Sequence, residues 1–324
     1  MLSESSDRPQ PLPLMSYDDP RYDRSYQRNY FQGSSPGGVI GMLLRHPRIL
    51  GALAILVIGV ITYFVRTEKR TNPFTGDDVR VVLTPEQEVA LGLQSVQEME
   101  RQFGGEYRDP VQQNRINRIG AKLLAAKEEV LKRRGIDDYD YPFEFHILRD
   151  NQTINAFALP GGQVFITFAL LRQLDAVRND GRPNDDAVAG VVGHEIGHVL
   201  AWHSNKQMAK SSLLQSIASA AATASSSDMH SGQAVGQMVG QLLQTKYGRE
   251  DESQSDRIGV QLMIVAGYRP EALIEVMEVL KRSMGKGPRP PEILSTHPFP
   301  ETRKEEIEKF IEHFRKYPYG KWNE

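Results

Sequence analysis

Val191-Val192-Gly193-His194-Glu195-Ile196-Gly197-His198 is the stretch on which the reading of this chain turns. His194 and His198 are four residues apart, so on a helix they lie on one face about a turn apart. Both imidazoles can then reach one metal ion. Glu195 points beside that face, where it could take a proton from a water molecule. This H-E-x-x-H arrangement is the one zinc peptidases use. The surroundings argue against a chance match. Asn184-Asp185-Asp186 offers capping side chains and acidic charge for a helix start. Ala187, Val188, Val191 and Val192 lead in, and Val199 and Leu200 continue the apolar run. A polar set inside such a helix needs a reason, because buried unpaired polar groups are costly.

The chain around this helix has 324 residues, a formal net charge of -2, 40% hydrophobic and 25% charged residues, which are globular values that argue against nucleic acid as an obligate partner. It has no cysteine, so disulfides, thiolate zinc ligands and a cysteine nucleophile are excluded. Residues 1–44 are rich in Ser, Pro, Asp, Arg, Tyr and Gly and read as a disordered tail. Ile49 to Val65 carries no charge and is flanked by Arg45 and Arg48 before it and by Arg66, Lys69 and Arg70 after it. With those basic flanks, residues 45–70 read as a single transmembrane helix, with Tyr63 and Phe64 at one interface and lipid as a partner. A linker at 71–83 then leads to one large domain over 84–324.

Within that domain Thr84-Pro85-Glu86-Gln87 is a helix start with a capping box. A second helix from Pro110 puts Ile116, Ile119, Leu123 and Val130 on one stripe. Phe143, Phe145 and Ile147 alternate as a strand, with His146 pointing to the other side as a surface histidine. Asn155-Ala156-Phe157-Ala158-Leu159, then Pro160-Gly161-Gly162, then Gln163 to Thr167 reads as a hairpin, followed by a helix from Phe168. A mobile Ser/Gly loop near Ser225 to Gly232 carries a solvated His230. A charged last helix from Pro300 to about Tyr317 buries Ile307, Phe310, Ile311 and Phe314. The order implies an α+β domain, mainly helical, with a small mixed or antiparallel sheet.

A catalytic zinc takes a third protein ligand. His203 lies five residues beyond His198, about 140° off the ligand face of a continuous helix, and reads instead as a supporting or helix-end residue. The better source is Glu250-Asp251-Glu252 with Asp256. Glu252 and Asp256 share a face one turn apart, so one could bind metal while the other stands behind a histidine. Spacing alone does not choose within the acidic run.

Four separated pieces resemble the HtpX/CAAX-prenyl-protease family of zinc metallopeptidases, among its single-span OMA-type and BepA-type members. They are Asn155-Ala156-Phe157 with Pro160-Gly161-Gly162, the His194–His198 motif, Glu252 to Asp256, and His297-Pro298 with Arg303. The likeness runs from about residue 84 to 316. It implies a zincin-like fold and selects Glu252 as third ligand, with Asp256 behind the metal site. Position 255, usually alanine in that family, is Ser255 here. The resemblance also brings His297 to the site, as an oxyanion donor or at the metal's open position, with Arg303 anchoring its loop.

These readings add up to a membrane-anchored zinc endopeptidase, with one Zn²⁺ on His194, His198 and Glu252. Glu195 is its general base and His297 its oxyanion donor. Asn155, Ala156 and Phe157 offer an edge to which an extended polypeptide adds as a strand. The resemblance implies unfolded or misfolded substrates and a task in quality control. It also implies a catalytic domain outside the cytoplasm, on the periplasmic side, whereas four basic residues after the span against two before it lean the other way. The rival is a zinc-stabilised module that binds unfolded segments at a membrane without cutting them. A multi-span prenyl-protein protease is a poorer fit, because one span cannot enclose a membrane chamber.

Overall fold

The computed structural model describes residues 47–137, 140–178, 181–213, 247–283, 291–297 and 302–321. The expected tail and the Ser/Gly loop with His230 lie outside the described residues. The chain divides into two compact units, residues 1–51 and 52–324, and the start of helix α1 is what is described of the first.

Helix α1 (Pro47–Arg66) is 20 residues long, about 30 Å at 1.5 Å per residue. Leu53, Val57, Ile58, Ile61, Phe64 and Val65 on it are exposed. Among the described residues no helix is long and apolar enough to cross a membrane. The side chains of α1 are described only from Leu50 onward, which leaves out its first turn.

Where the sequence suggests a linker at 71–83, the chain forms an antiparallel hairpin of β1 (Glu68–Thr71) and β2 (Asp78–Val81). Asn72 makes the turn, its Oδ1 accepting from the N–H groups of Phe74 and Thr75. Val79, Val81 and Phe74 are buried, so the segment contributes to the core rather than bridging to it. An Asx turn closing a four-residue strand pair is a weak signal in sequence, and the basic residues of β1 obscure it.

Helix α2 (Pro85–Gln102) starts at the Thr84 capping box, and α3 (Pro110–Arg134) runs from the Asp109 cap to Gly135, whose φ of 62° ends it. The sheet has order β3-β5-β4, with β3 (Glu144–Leu148) parallel and β4 (Ala156–Ala158) antiparallel to the central β5 (Gln163–Thr167). The Gly161 turn between β4 and β5 lies against α2, where a Cβ would meet Val89 Cα at 2.4 Å.

One sheet face meets the main core, including Ile147, Val164 and Ile166. The other meets a smaller cluster of Met99, Phe103, Leu148, Phe157 and Phe165. That second cluster corrects the expectation for His146. It does point away from Phe145 and Ile147, but its ring stacks on Phe165 at 4.7 Å and Nε2 bonds Gln163 Oε1 at 2.8 Å.

Helix α4 (Phe168–Ala176) follows β5 directly, and α5 (Asp185–Leu200) carries the two histidines. Residues 203–213 are helical again. Then come α6 (Arg249–Val265), α7 (Glu271–Ser283), the single turn α8 (Ile293–Thr296) and α9 (Arg303–Lys316). Every residue of α5 from Ala187 to Leu200 is buried, which makes α5 the central helix of this unit.

Candidate metal centre

Helix α5 is capped by Asn184, whose side chain accepts from Ala187 N–H, and Asp185 and Asp186 fill its first turn. It lies unusually close to α6. A Cβ on Gly197 would stand 2.7 Å from the Ser255 carbonyl oxygen, and one on Gly259 would stand 3.0 Å from His194 N. The glycines inside and opposite the motif therefore let the two backbones touch. Ser255 uses that proximity, since its hydroxyl donates a short hydrogen bond to the His194 carbonyl. An alanine there would leave this bond unmade.

The close crossing brings four donor atoms together from three elements. His194 Nε2 and His198 Nε2 are 3.0 Å apart, His198 Nε2 and Glu252 Oε1 3.5 Å, and His194 Nε2 and Glu252 Oε2 3.6 Å. His297, from the residue after α8, puts Nδ1 at 2.9 Å from Glu252 Oε1 and 3.3 Å from His194 Nε2. All four side chains are buried, and their donor atoms lie within 4.8 Å of one another. A tetrahedral zinc with ligands at about 2.0–2.1 Å has ligand–ligand edges of about 3.3 Å. The cluster has those edges.

Hydrogen-bond accounting supports the same fit. Asp256 Oδ1 lies 2.8 Å from His194 Nδ1. A carboxylate only accepts, so the proton sits on Nδ1 and a lone pair on Nε2. Arg303 Nη2 is 3.4 Å from the same Nδ1 but has its own acceptor in Asp256 Oδ1 at 2.8 Å. The His194 lone pair therefore faces the Glu252 carboxylate, acceptor against acceptor in a buried place. A cation resolves that conflict.

Asp256 and Arg303 form a buried ion pair, with Arg303 Nε 2.5 Å from Asp256 Oδ2. Arg303 Nη1 also comes within 2.8 Å of Glu252 Oε2, without the alignment of a hydrogen bond. Burial acts to raise the Asp256 pKa, but the Arg303 charge brings it below the usual aspartate value. Burial likewise opposes ionisation of Glu252, and His297 and Arg303 hold it well below an ordinary glutamate. His198 is backed differently, by His203 Nδ1 at 2.9 Å from its own Nδ1. Burial drives the His198 pKa far down and that of His203 to about 4, so both rings are neutral near pH 7.

His203 reaches His198 because the helix is not continuous. Helix α5 stops at Leu200, and Trp202 takes a left-handed φ of 57°, turning His203 back beneath the motif. A left-handed non-glycine residue costs on the order of 1–2 kcal/mol. It is sparsely populated backbone held by its surroundings.

Glu195 is fully buried, and its Oε1 has no hydrogen-bond partner among the described residues. Burial raises its pKa. It lines a cavity of about 40 Å³ together with His297 and the apolar side chains of Val191, Leu273, Met277 and Leu280. His297 Nε2 stands 3.7 Å from Glu195 Oε1. Burial acts to lower the His297 pKa, but Glu252 and Glu195 raise it overall. Tyr247, one residue before the Gly248 cap of α6, packs its ring 4.1 Å from that of His198 and shares a 3.2 Å hydrogen bond with Ser204.

Of the residues singled out in sequence, His194, His198, Glu252 and His297 converge, with Glu195 beside them and Asp256 behind His194. Glu250 is exposed, and Asp251 Oδ1 accepts from Lys206 Nζ at 2.7 Å. Neither belongs to the donor cluster. Asn155 and Ala156–Ala158 lie at the β4 edge of the sheet, with the buried Asn155 Oδ1 unpartnered among the described residues. Sequence reasoning passed over Tyr247, over Gln254, whose Oε1 lies 3.0 Å from His203 Nε2, and over Asp77, which accepts from Gln254 Nε2. No spacing marks them, because they reach the site through a loop, a helix flank and a distant hairpin.

A buried H-E-x-x-H helix, a carboxylate donor from a second helix and an adjoining mixed sheet define a zincin-type metallopeptidase domain. The chain belongs to peptidase family M48, whose profile matches residues 110–311. Members of this family are zinc-dependent metallopeptidases. The chain is 30% identical over 258 residues to the beta-barrel assembly-enhancing protease of Escherichia coli, covering 78% of this chain and 49% of that protein. It is 31% identical over 175 residues to the mitochondrial metalloendopeptidase OMA1 of Schizosaccharomyces pombe, covering 53% and 48% respectively. Against the mitochondrial metalloendopeptidase OMA1 of Bos taurus it is 26% identical over 171 residues, covering 50% and 31%. The chain thus spans about half the length, or less, of these curated relatives.

Proposed function

We propose that this chain is a membrane-anchored zinc endopeptidase that works in protein quality control. The observation that carries the reading is the unpartnered, buried Oε1 of Glu195 beside four converging metal donors. A purely structural metal site, or a module that only binds unfolded segments, has no use for such an oxygen. On this reading His194, His198 and Glu252 hold the zinc, which polarises the scissile carbonyl and lowers the pKa of water when bound. Glu195, with its raised pKa, accepts the proton of the attacking water and hands it to the leaving amine. His297 rests with Nδ1 among the donors. Once substrate displaces it, it donates to the developing oxyanion. Asp256 orients His194, and Arg303 holds Asp256.

An extended polypeptide adds to the β4 edge at Asn155 to Phe157, and the apolar cavity takes a side chain next to the scissile bond. Unfolded proteins present such segments. The name of the bacterial relative suggests β-barrel precursors among the substrates. Helix α1 anchors the protein as a single span, supported by the uncharged run from Ile49 to Val65 between basic flanks and by its exposed apolar side chains. The catalytic domain lies on the periplasmic side, so a phosphatase fused after residue 324 would be active there and inactive in the cytoplasm.

Casein digestion by the full chain, with Glu195→Gln as the control, tests the central claim. Glu195→Gln should keep its zinc and fold and lose two to four powers of ten in rate, about the value of one proton-transfer group. A variant that cleaves as fast as the parent would favour the non-catalytic binding module.

A further inference from the structure

For His198 to bind metal through Nε2, its proton must sit on Nδ1. Asp256 settles that question for His194, but His198 faces another imidazole. His203 Nδ1 and His198 Nδ1 are 2.9 Å apart. Two ring nitrogens at that distance share one proton, and by themselves either ring could own it.

The choice is made farther out. His203 Nε2 lies 3.0 Å from Gln254 Oε1, and Gln254 Nε2 donates to Asp77 Oδ2 at 2.6 Å. Amides and neutral imidazoles offer both a donor and an acceptor, so each of these links could be reversed. An ionised carboxylate offers acceptors alone, so Asp77 cannot. It takes the Gln254 N–H, which turns Oε1 toward His203. Oε1 then needs the Nε2–H of His203, which leaves His203 Nδ1 as an acceptor. That acceptor takes the Nδ1–H of His198. The His198 Nε2 lone pair is left facing the donor cluster.

We propose that Asp77, an exposed residue of the β1–β2 turn, is a positioning residue that sets the proton arrangement of His198 through Gln254 and His203. The proposal rests on the reading of His198 as a metal ligand. Its anchor is rigid: Asn72 N–H donates to the Asp77 carbonyl at 2.8 Å, and Asn72 Nδ2 donates to the Leu200 carbonyl at 2.8 Å. The turn is thus fastened to the end of the metal helix itself. Asp251 Oδ1, 3.7 Å from His203 Nε2, lies beyond hydrogen-bond reach but favours the same proton, so removing Asp77 weakens the bias rather than abolishing it.

The test uses the full chain, labelled with ¹⁵N at histidine, with ring tautomers read by NMR and zinc affinity read by chelator competition. In the parent, His198 should carry its proton on Nδ1 and His203 on Nε2, with or without zinc. Asp77→Ala frees the Gln254 amide to flip, so zinc should bind about 10-fold more weakly, the lower end of what outer-shell partners contribute. Both rings should then show mixed tautomers. Adding Gln254→Glu to Asp77→Ala should restore affinity and tautomers, because a carboxylate cannot present a donor to His203. A role in merely bracing the hairpin would give no such rescue. Unchanged tautomers and affinity in Asp77→Ala, or a double variant no tighter than the single one, would overturn the proposal. A parent that binds no zinc yet shows these tautomers would instead sink the peptidase reading and leave the proton relay standing.

Discussion

The two histidines of the metal helix are held by opposite kinds of structure. Behind His194 stands a buried ion pair, Asp256 with Arg303, which also reaches Glu252. Behind His198 stands a neutral chain of His203 and Gln254, which leads out to an exposed aspartate. Both put a lone pair on Nε2. The charged side does so with strong bonds whose partners depend on one another, since no buried charge can lose its counterpart cheaply. The neutral side does so with bonds that are individually weak and could each point either way, so its direction is borrowed from its far end.

The largest break in this comparison is Arg303→Met. It leaves Asp256 and Glu252 buried without their cation, and the loss should be about 3–5 kcal/mol of stability, read as a fall in the denaturant midpoint. A variant within 1 kcal/mol of the parent would mean that the pair is not sealed from water.

Two buried carboxylates, Glu88 outside both sides and Asp256 on the charged side, should respond to pH in opposite directions. Glu88, on α2, accepts from the Tyr141 hydroxyl at 2.6 Å, and burial pushes its pKa up to about 7. Between the unfolded value of 4.5 and about 7 the folded chain holds a proton that the unfolded chain has lost. Stability therefore falls as pH rises through that window and levels off above it. Asp256 has the reverse sign. Its lowered pKa contributes stability above the unfolded value of 3.8, which is lost on acidification through the lower folded value. Glu88→Gln should abolish a stability loss of about 3 kcal/mol between pH 4.5 and 8, measured as the difference between parent and variant unfolding curves. Parallel curves would show that Glu88 is solvated.

Asp256→Asn is a smaller perturbation of the charged side, because the amide keeps the shape. It no longer dictates the His194 proton, so zinc affinity should fall by roughly 10- to 100-fold. The mildest change is Asp77→Asn on the neutral side. Its carbonyl oxygen can still accept from Gln254, so affinity should fall by less than about 3-fold, well short of Asp77→Ala. An Asp77→Asn loss as large as that of Asp256→Asn would erase the distinction between the two sides.

Much of the frame was legible from local rules. Thr84 with Gln87, Asn184 before the metal helix, and the Pro160-Gly161-Gly162 turn each carry a short-range signal that the structure repeats. The apolar stripe of Ile307, Phe310, Ile311 and Phe314 is buried as its spacing implies. His146 was misjudged because alternation tells which face a side chain takes, not whether a second cluster covers that face. His203 was placed on a continuous helix that in fact ends at Leu200, and no residue pattern announces a left-handed Trp202.

Sequence alone determined the chemistry that lies within a few residues: two imidazoles one turn apart, a carboxylate between them, and an apolar helix to carry them. Helical geometry makes that information local. Glu252 was drawn from the acidic run by family likeness, and its convergence with His297 depends on how closely α5 and α6 cross, which Gly197 and Gly259 permit. The backing of the ligands was decided by tertiary structure as well. Asp77 lies 179 positions before Asp256 in the chain, and each stands behind one of two histidines a single turn apart. Hydrogen-bond direction depends on which acceptor ends each chain of contacts, and only packing brings that acceptor within reach.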